Sequence, residues 1–245
     1  MADRLFVMRL DARPIAQSAG PAQFVQILAD PVGSPYLRRP FSFLRVDRDA
    51  GWFEIYYDVI GPGTRRLQEA RPGDAFNALG PLGRVFDPPE GHLLLVAGGV
   101  GIVPLAFLAW DHPERRLSTT LLMGANTATR LPDLDALLPA DLVRHVSTDD
   151  GTTGHAGFVT DLIEQHATPT TAVLTCGPHA MMARVAQITA ELSLSCYASL
   201  ENHMACGFGA CVGCVVEYRE SDREDERYRR VCLDGPVVDA HGIVW

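Results

Sequence analysis

The chain has 245 residues, of which 47% are hydrophobic and 21% charged, a balance typical of a globular protein rather than a fibrous or disordered one. Its formal charge of −9, with no long basic stretch, excludes a function built on neutralising nucleic-acid phosphates. Glycines and a proline interrupt the longest apolar run, 93–110, and charges near the N-terminus interrupt any signal-peptide core, so no membrane segment is expected. We therefore expect a cytosolic protein whose six cysteines stay reduced and serve metal or redox chemistry.

The first 80 or so residues predict a small antiparallel β-barrel. Four segments rich in β-branched and aromatic residues are separated by turn sequences such as DPVGSP and DRDAG: 4–10, 22–29, 39–46 and 52–60. A short helix is predicted at 65–70, because Gly63-Thr64 provides an N-cap and Arg71-Pro72-Gly73 stops it. The sequence DPPEG at 87–91 then indicates a linker.

Beyond this linker, short apolar strands alternate with helical segments. The predicted strands are 92–97, 117–124, 142–148 and 171–177, and the predicted helices are 103–110, 131–138, 157–166 and 178–192. This alternation predicts a doubly wound α/β domain from about residue 90 to residue 195. The last 50 residues carry five of the six cysteines, two short strand-like segments and a charged run at 220–230, which we interpret as a solvated hairpin loop.

Two turns in the α/β region are candidate ligand sites. Gly98, Gly99 and Gly101 lie between a strand and a helix, where glycine lets the backbone approach a phosphate. Cys176-Gly177-Pro178 lies at an equivalent turn, where a small thiol can lie beside a reactive ring. Without a ligand, the glycines would simply form a tight turn that packs a helix onto its strand. The Cys-Gly-Pro sequence would simply contain a buried cysteine.

The predicted barrel offers two weaker candidates. Arg39 can form a bidentate contact with a phosphate, and Ser42 can hydrogen-bond the edge of a cofactor ring. The sequence GPGT at 61–64 starts the short helix and can bind an anion. Without a ligand, Arg39-Pro40 would mark the entry to an edge strand, and GPGT would be an ordinary turn.

Four cysteines near the C-terminus form the most specific motif, C-x4-C-x2-C-x17-C: Cys206, Cys211, Cys214 and Cys232. The first two gaps match those of plant-type [2Fe–2S] ferredoxins. The glycines between these cysteines allow the loop to curl so that amide N–H groups point at sulfur. Structural zinc is the main alternative, although zinc sites more often use two C-x2-C arms, and a disulfide is a weaker one. Cys196 lies outside the motif and is predicted to be a buried core thiol.

The three modules, in this order, resemble the flavin-containing electron-transfer subunits of dihydroorotate dehydrogenase B, within the ferredoxin–NADP reductase superfamily. The similar motifs span essentially the whole chain: RPFS (39–42), IYYDVIGPGT (55–64), GPLG (80–83), GGVGIVPL (98–105), STDDG (147–151), CGP (176–178), SLENHMACGFGACVGC (199–214) and VCLDGPV (231–237). The resemblance implies a multi-module α+β fold, with an FAD-binding β-barrel at 1–88, an NAD-binding α/β domain at 89–195 and a [2Fe–2S] domain at 196–245.

The resemblance also implies roles for individual residues. It implies electron transfer only, so no residue is assigned a catalytic role. The residues that would bind flavin are Arg39, Pro40, Phe41, Ser42, Tyr56, Tyr57, Asp58, Gly63 and Thr64. The residues that would bind the dinucleotide are Gly98, Gly99 and Gly101, and Cys176, Gly177 and Pro178 would lie near the nicotinamide. The ligands of the cluster would be Cys206, Cys211, Cys214 and Cys232. Asp58 departs from the family pattern, since relatives often carry a basic residue there.

In function, the resemblance implies an oxidoreductase subunit of pyrimidine biosynthesis. Electrons would leave dihydroorotate on the FMN of a separate catalytic subunit, in a heterotetramer, and pass through the cluster and FAD to NAD+. The absence of arginine at 125–127 favours NAD over NADP, although Arg130 is near. On the same scaffold, the alternatives are a subunit of a hydrogenase, a sulfide dehydrogenase or a ferredoxin–NADP transhydrogenase. A non-enzymatic binding protein stapled by zinc is the alternative from another class.

Overall fold

The computed structural model describes residues 4–30, 35–219 and 227–245, which form sheets of five, seven and two strands. Four residues of the predicted turn DPVGSP, 31–34, and seven residues of the charged run, 220–226, lie outside this description. Within the described residues, no helix has the length and apolarity needed to cross a membrane.

The N-terminal sheet is antiparallel throughout and has the order β1-β4-β3-β2-β5. Its strands are β1 (Leu5–Asp11), β2 (Phe24–Leu28), β3 (Arg39–Asp47), β4 (Trp52–Asp58) and β5 (Asn77–Leu82). The four predicted strands are confirmed, whereas β5 was missed because its sequence, NALGPL, has few of the residues that favour strands. Phe43, Phe53 and Ile55 are fully buried in the core of this sheet, and their burial explains why the aromatic segments pair.

Two short helices accompany this sheet, α1 (Arg13–Ser18), which was not predicted, and α2 (Pro62–Gln68). Helix α2 begins before the predicted N-cap, because Pro62 has the fixed φ of a first helical residue and Gly61 is extended. Thr64 is therefore inside the helix. Its hydroxyl accepts hydrogen bonds from the backbone N–H groups of Ile60 and Gly61, at 3.0 and 3.1 Å.

The central sheet has the order β14-β11-β10-β6-β7-β8-β9, and all its pairings are parallel except that of β14 with β11. Its strands are β6 (Leu93–Gly98), β7 (Thr119–Ala125), β8 (Val143–Thr148), β9 (His155–Ala156), β10 (Ala172–Cys176), β11 (Ser195–Ser199) and β14 (Val237–Asp239). The alternation of strands and helices that predicted an α/β domain is confirmed. The apolar β6, buried at every position, lies in the middle of the sheet.

The helices of this region are α3 (Ile102–Asp111), α4 (Leu134–Leu137), α5 (Ile163–His166) and α6 (His179–Glu191). Two predicted helices are shorter than expected. The segment predicted at 131–138 is a single turn capped by the Asp133 carboxylate, and the one predicted at 157–166 begins as a 3-10 turn over Val159–Leu162. Isolated helices this short gain little from propensity and depend on packing, which the periodicity alone does not reveal.

The C-terminal segment contributes to two sheets. Strands β11 and β14 extend the central sheet, while β12 (Val215–Glu217) and β13 (Tyr228–Arg230) pair with each other. A helical turn, α7 (Val231–Asp234), carries Cys232. Cys196 is 2% exposed, so its predicted burial is confirmed, and Cys214 and Cys232 belong to the same core as Phe24 of β2. The cysteine loop thus packs against both the N-terminal and the central sheet.

Candidate functional site

The two predicted ligand turns lie side by side at the carboxyl ends of adjacent strands. Cys176, at the end of β10, is in register with Ala97 of β6. A Cβ atom on Gly101 would lie 2.3 Å from the carbonyl oxygen of Cys176, and one on Gly177 would lie 2.9 Å from the backbone nitrogen of Gly98. Glycine at these two positions therefore allows the turns to touch. Gly99 differs, because its φ of +57° requires glycine while no atom lies within 4 Å of a built Cβ.

A cavity of about 750 Å³ opens in front of these turns. Gly98, Gly99 and Pro178 line one side, and the opposite side comes from the ends of β1 and β4. Three arginines from separate parts of the chain reach the same cavity: Arg4, Arg130 and Arg184. This combination of glycine backbone and guanidinium groups suits the phosphates of a dinucleotide.

The far side of this cavity carries an acidic and an aromatic group. Asp149, at the end of β8, accepts a hydrogen bond of 3.0 Å from the side-chain amide of Asn126. Phe158 is 64% exposed at the rim, which leaves its ring free to stack on a base. A carboxylate here also disfavours an additional phosphate on a bound ribose.

A second cavity, of about 280 Å³, is lined by Arg39, Pro40, Phe41, Ser42, Tyr56, Tyr57, Asp58 and Thr64. Eight of the nine residues predicted to bind flavin thus come together at the end of the N-terminal sheet. The rings of Phe41 and Tyr57 are in edge contact, with centroids 5.7 Å apart, and form a firm apolar wall.

The phenol of Tyr56 is the clearest sign that this wall faces a polar ligand. Its hydroxyl is buried and has no hydrogen-bond partner among the residues that the structure describes. Burial, reinforced by the negative charges of Asp58 and Asp133, raises the pKa of Tyr56 to about 12. The hydroxyl therefore stays protonated at neutral pH and can donate to an acceptor in either neighbouring cavity.

Gly63 does not line the second cavity but lies behind it. A Cβ on Gly63 would approach the Nε of Arg39 to 2.7 Å, so the glycine leaves room for the Arg39 side chain. That guanidinium donates a hydrogen bond to the backbone carbonyl of Leu37. Gly63 thus acts on the cavity through Arg39.

A third cavity, of about 690 Å³, separates the two ligand turns from the C-terminal segment. Gly101 and Gly177 line it, and Glu201 lines both this cavity and the second. Although Glu201 is exposed to the cavities, the surrounding protein desolvates its carboxyl and raises the pKa. Cys176 lies beneath these surfaces, 1% exposed and absent from all three linings, and burial raises the pKa of its thiol well above the usual range.

The cysteine loop brings its four thiols together as two pairs. The backbone N–H of Cys211 donates to the sulfur of Cys206 over 3.4 Å, and the N–H of Cys232 donates to the sulfur of Cys214 over the same distance. Desolvation opposes ionisation of Cys206, but the backbone N–H groups of Cys211, Phe208 and Ala210 outweigh it and lower the pKa to about 6. Desolvation and the neighbouring Cys214 raise the pKa of Cys232.

Two pairs of thiols are the donor set that a two-iron centre takes. A structural zinc site needs four ligands around one ion, whereas the two irons of a [2Fe–2S] cluster each take two protein ligands and share the sulfides. The amide directed at sulfur that the loop glycines predicted is observed at Cys211, and a second such amide, at Cys232, comes from α7.

Several cavity residues were not assigned from the sequence. Arg4 and Arg184 are common surface types, and nothing local distinguishes them from other arginines. Asp149 and Glu201 lie in motifs that carried the family resemblance, STDDG and SLEN, and that is the one signal that could have identified them.

Comparisons with known proteins agree with this geometry. A family model described as the iron-sulfur cluster binding domain of dihydroorotate dehydrogenase B matches residues 201–244, and one described as an oxidoreductase NAD-binding domain matches residues 95–187. Two curated relatives are named dihydroorotate dehydrogenase B (NAD(+)), electron transfer subunit. The one from Desulforamulus reducens is 33% identical and the one from Geobacillus thermodenitrificans 36%, each over 100% of this chain and 94% of the relative.

Among solved structures, an NADH-dependent reduced ferredoxin–NADP oxidoreductase superposes with a TM-score of 0.86 at 26% identity. This match covers 100% of the chain and 86% of that protein. The ferredoxin reductase of carbazole 1,9a-dioxygenase has a TM-score of 0.65 at 20% identity, with 79% and 62% coverage, and shows a shared fold.

Proposed function

Since the chain belongs to the family of dihydroorotate dehydrogenase B electron-transfer subunits, we propose that its donor is the FMN of a separate catalytic subunit, in a heterotetramer. The chain itself is an electron-transfer oxidoreductase subunit that uses FAD, a [2Fe–2S] cluster and NAD. When bound, FAD exchanges electron pairs with NAD and single electrons with the cluster. The alternative of a non-enzymatic zinc protein is wrong, because the cysteine segment matches an iron–sulfur domain.

The contact between the three sites is the observation that carries this proposal. Tyr56 and Asp58 line both the first and the second cavity, so the dinucleotide and flavin sites share a wall. Met204, two residues before Cys206, lines the second cavity. An electron path from the cysteine loop to a dinucleotide needs such adjacency, and the residues of one chain supply it.

We assign flavin binding to the wall of the second cavity. Arg39 carries the positive charge for a phosphate, and the protonated hydroxyl of Tyr56 can donate to a polar atom of the ring system. Pro40, Phe41 and Tyr57 exclude water from one face, and Ser42 adds a hydroxyl. Gly63 leaves space for Arg39, while the Thr64 hydroxyl is already engaged by the start of α2 and stabilises that turn.

We assign dinucleotide binding to the first cavity and the two touching turns. Gly98 and Gly99 line the same cavity as the arginines, and Gly101 and Gly177 allow the two turns to touch. Pro178 lines the first and third cavities. Cys176 supports the turn from beneath, and its neutral thiol adds no charge to the nicotinamide region.

We assign the cluster ligands as two pairs, Cys206 with Cys211 and Cys214 with Cys232. Backbone amides at Cys211 and Cys232 are already directed at sulfur and would stabilise the extra negative charge of a reduced cluster.

The same assignments support a division into three units. We propose an FAD-binding barrel at 1–88, an NAD-binding domain at 89–195 and a cluster domain at 196–245, with β11 and β14 joining the last unit to the central sheet. The two family matches, 95–187 and 201–244, fall inside the second and third units. We also propose a cytosolic location, where the cysteines would be kept reduced.

Copurification with the native partner tests the proposed function. The chain, purified anaerobically with that partner, should contain flavin, iron and sulfide, and should reduce NAD+ when given dihydroorotate, with one orotate formed per NADH. Reduction of NADP+ by reduced ferredoxin, without orotate formation, would instead support the function named for the similar oxidoreductase structure. A colourless preparation without iron would refute the redox function altogether.

A further inference from the structure

Gln26 is a buried polar side chain that neither sheet explains. It lies in the middle of β2 and is 0% exposed. Neither its amide nitrogen nor its amide oxygen has a hydrogen-bond partner among the described residues. A buried amide without partners destabilises the folded state, so an apolar residue of similar size would be the more stable choice if packing were the only requirement.

The direction of Gln26 follows from the alternation along β2. Val25 and Ile27 belong to the core of the N-terminal sheet, so Gln26 and Phe24 point to the opposite face. Phe24 packs in the core that contains Cys214 and Cys232. The face of β2 that carries Gln26 is therefore the face covered by the cysteine loop.

The loop meets Gln26 directly after the first cysteine. Gly207 is buried, with φ of +82°, and a Cβ built on it would lie 2.7 Å from both Cγ and Nε2 of Gln26. Any larger residue at 207 would displace the amide from the loop. The amide of Gln26 and Gly207 are thus in close contact beside Cys206. The sulfur atoms of a cluster bound there would accept hydrogen bonds.

We propose that the side-chain amide of Gln26 donates a hydrogen bond to a sulfide of the cluster, an acceptor that the described residues do not supply. Gln26 is then a positioning residue that ties a strand of the flavin-binding sheet to the cluster. This inference rests on the proposed cluster site. Hydrogen bonds to sulfur stabilise the more negative, reduced state, so the amide raises the reduction potential of the cluster.

Another glutamine in the same segment provides a matched control. Gln23 is fully hydrogen-bonded within the protein: its Oε1 accepts from the N–H of Gly20 at 3.0 Å, and its Nε2 donates to the carbonyl of Gly83 at 2.7 Å. Gln23→Met removes the same amide from a site that does not face the cysteine loop. It should lower stability and leave the cluster unchanged.

The test is a redox titration of the complete complex, followed by electron paramagnetic resonance of the reduced cluster. In Gln26→Met, the equilibrium constant for cluster reduction should fall by about tenfold, equal to about 59 mV for a one-electron couple. The FAD potentials and the cluster of Gln23→Met should match the unmutated complex. An unchanged cluster potential in Gln26→Met, or a shift confined to FAD, would overturn the proposal.

A second measurement avoids dependence on the variant's folding. Unmutated protein with 15N in its glutamine side chains should show a nitrogen coupling to the reduced cluster in pulsed resonance spectra, and Gln23→Met should retain it. Absence of this coupling, with the cluster present, would overturn the role of Gln26 alone. Absence of iron and sulfide from the unmutated complex would overturn the proposed function as well.

Discussion

Arg4 and Asp58 form a bidentate ion pair, in which Nε and Nη2 of the arginine each lie 3.0 Å from a different carboxylate oxygen. Asp58 ends β4, and its neighbour across the sheet is Leu5, next to Arg4. Both charged residues line the first cavity, to which we assign dinucleotide binding. The guanidinium of Arg4, the residue before β1, is therefore bound to Asp58, the residue that departs from the expected pattern of the flavin segment.

The interaction between Arg4 and Asp58 should contribute little to the free energy of unfolding. The side chains are 49% and 26% exposed, and exposed ion pairs contribute about 0.2–1 kcal/mol. Urea unfolding of Arg4→Gln, Asp58→Asn and the double variant should therefore give a coupling energy below about 1 kcal/mol. A coupling above about 2 kcal/mol would mean that the pair is a structural element rather than a solvent-facing part of the cavity wall.

Gly101→Ala should destabilise the protein strongly. The added Cβ would lie 2.3 Å from the carbonyl oxygen of Cys176, a backbone atom that can move only if the two turns separate. We expect a loss of about 3 kcal/mol in the free energy of unfolding, with reduced affinity for NADH measured by fluorescence.

Gly61→Ala is the matched control for that substitution. Gly61 is extended, and no atom lies within 4 Å of a built Cβ. The loss should stay below about 1 kcal/mol, because only the preference of a helix N-cap for glycine over alanine is affected. Equal effects at the two positions would contradict the packing role assigned to Gly101.

Each of the four loop cysteines should be needed for the cluster. Cys206→Ser, Cys211→Ser, Cys214→Ser and Cys232→Ser should each lower the iron and sulfide content and the visible absorption of the cluster, while flavin remains bound. Cys196→Ala serves as the control, because Cys196 is a buried core thiol outside the four-cysteine motif, and this variant should retain full iron content. Loss of iron in the control alone would contradict the ligand assignment.

Cys206 should be the most reactive thiol of the cluster-free protein near neutral pH. Its pKa is lowered to about 6, so the thiolate fraction rises as pH increases through 6 and is nearly complete by pH 8. Burial raises the pKa of Cys196 to about 12, which leaves that thiol protonated throughout this range. Iodoacetamide labelling followed by peptide mass spectrometry should show a rate at Cys206 that levels off above pH 7. A rate that keeps rising to pH 9 would contradict the lowered pKa.

The predictions from sequence succeeded where the signal is local. Alternating apolar residues identified β1 to β4, and buried apolar runs identified the parallel strands, because a strand's periodicity follows from its own burial. Short elements were less predictable. The Gly-Pro sequence of β5 and the single turn of α4 owe their conformation to neighbours that propensity does not include.

The candidate site also has features that the sequence predicts and features that only the fold shows. The cysteine motif could be identified from the sequence, since metal ligands on one loop must lie within a few residues of each other. The pairing of Cys214 with Cys232, and the approach of Met204 to the flavin cavity, required the fold. In the Gly98–Gly101 turn, Gly101 is required for packing, whereas Gly99 lines the first cavity, and its contact with a dinucleotide stays a prediction.

The amino-acid sequence by itself therefore determined the order of the modules, most of the strands and the type of chemistry, because each depends on residues close together in the chain. Only the tertiary structure decided which distant groups meet: Arg4 with Asp58, and Gln26 with Gly207. Such contacts depend on strand register and on the packing of one sheet against another. A shift of one residue in β2 would turn Gln26 away from the cysteine loop without changing any local pattern.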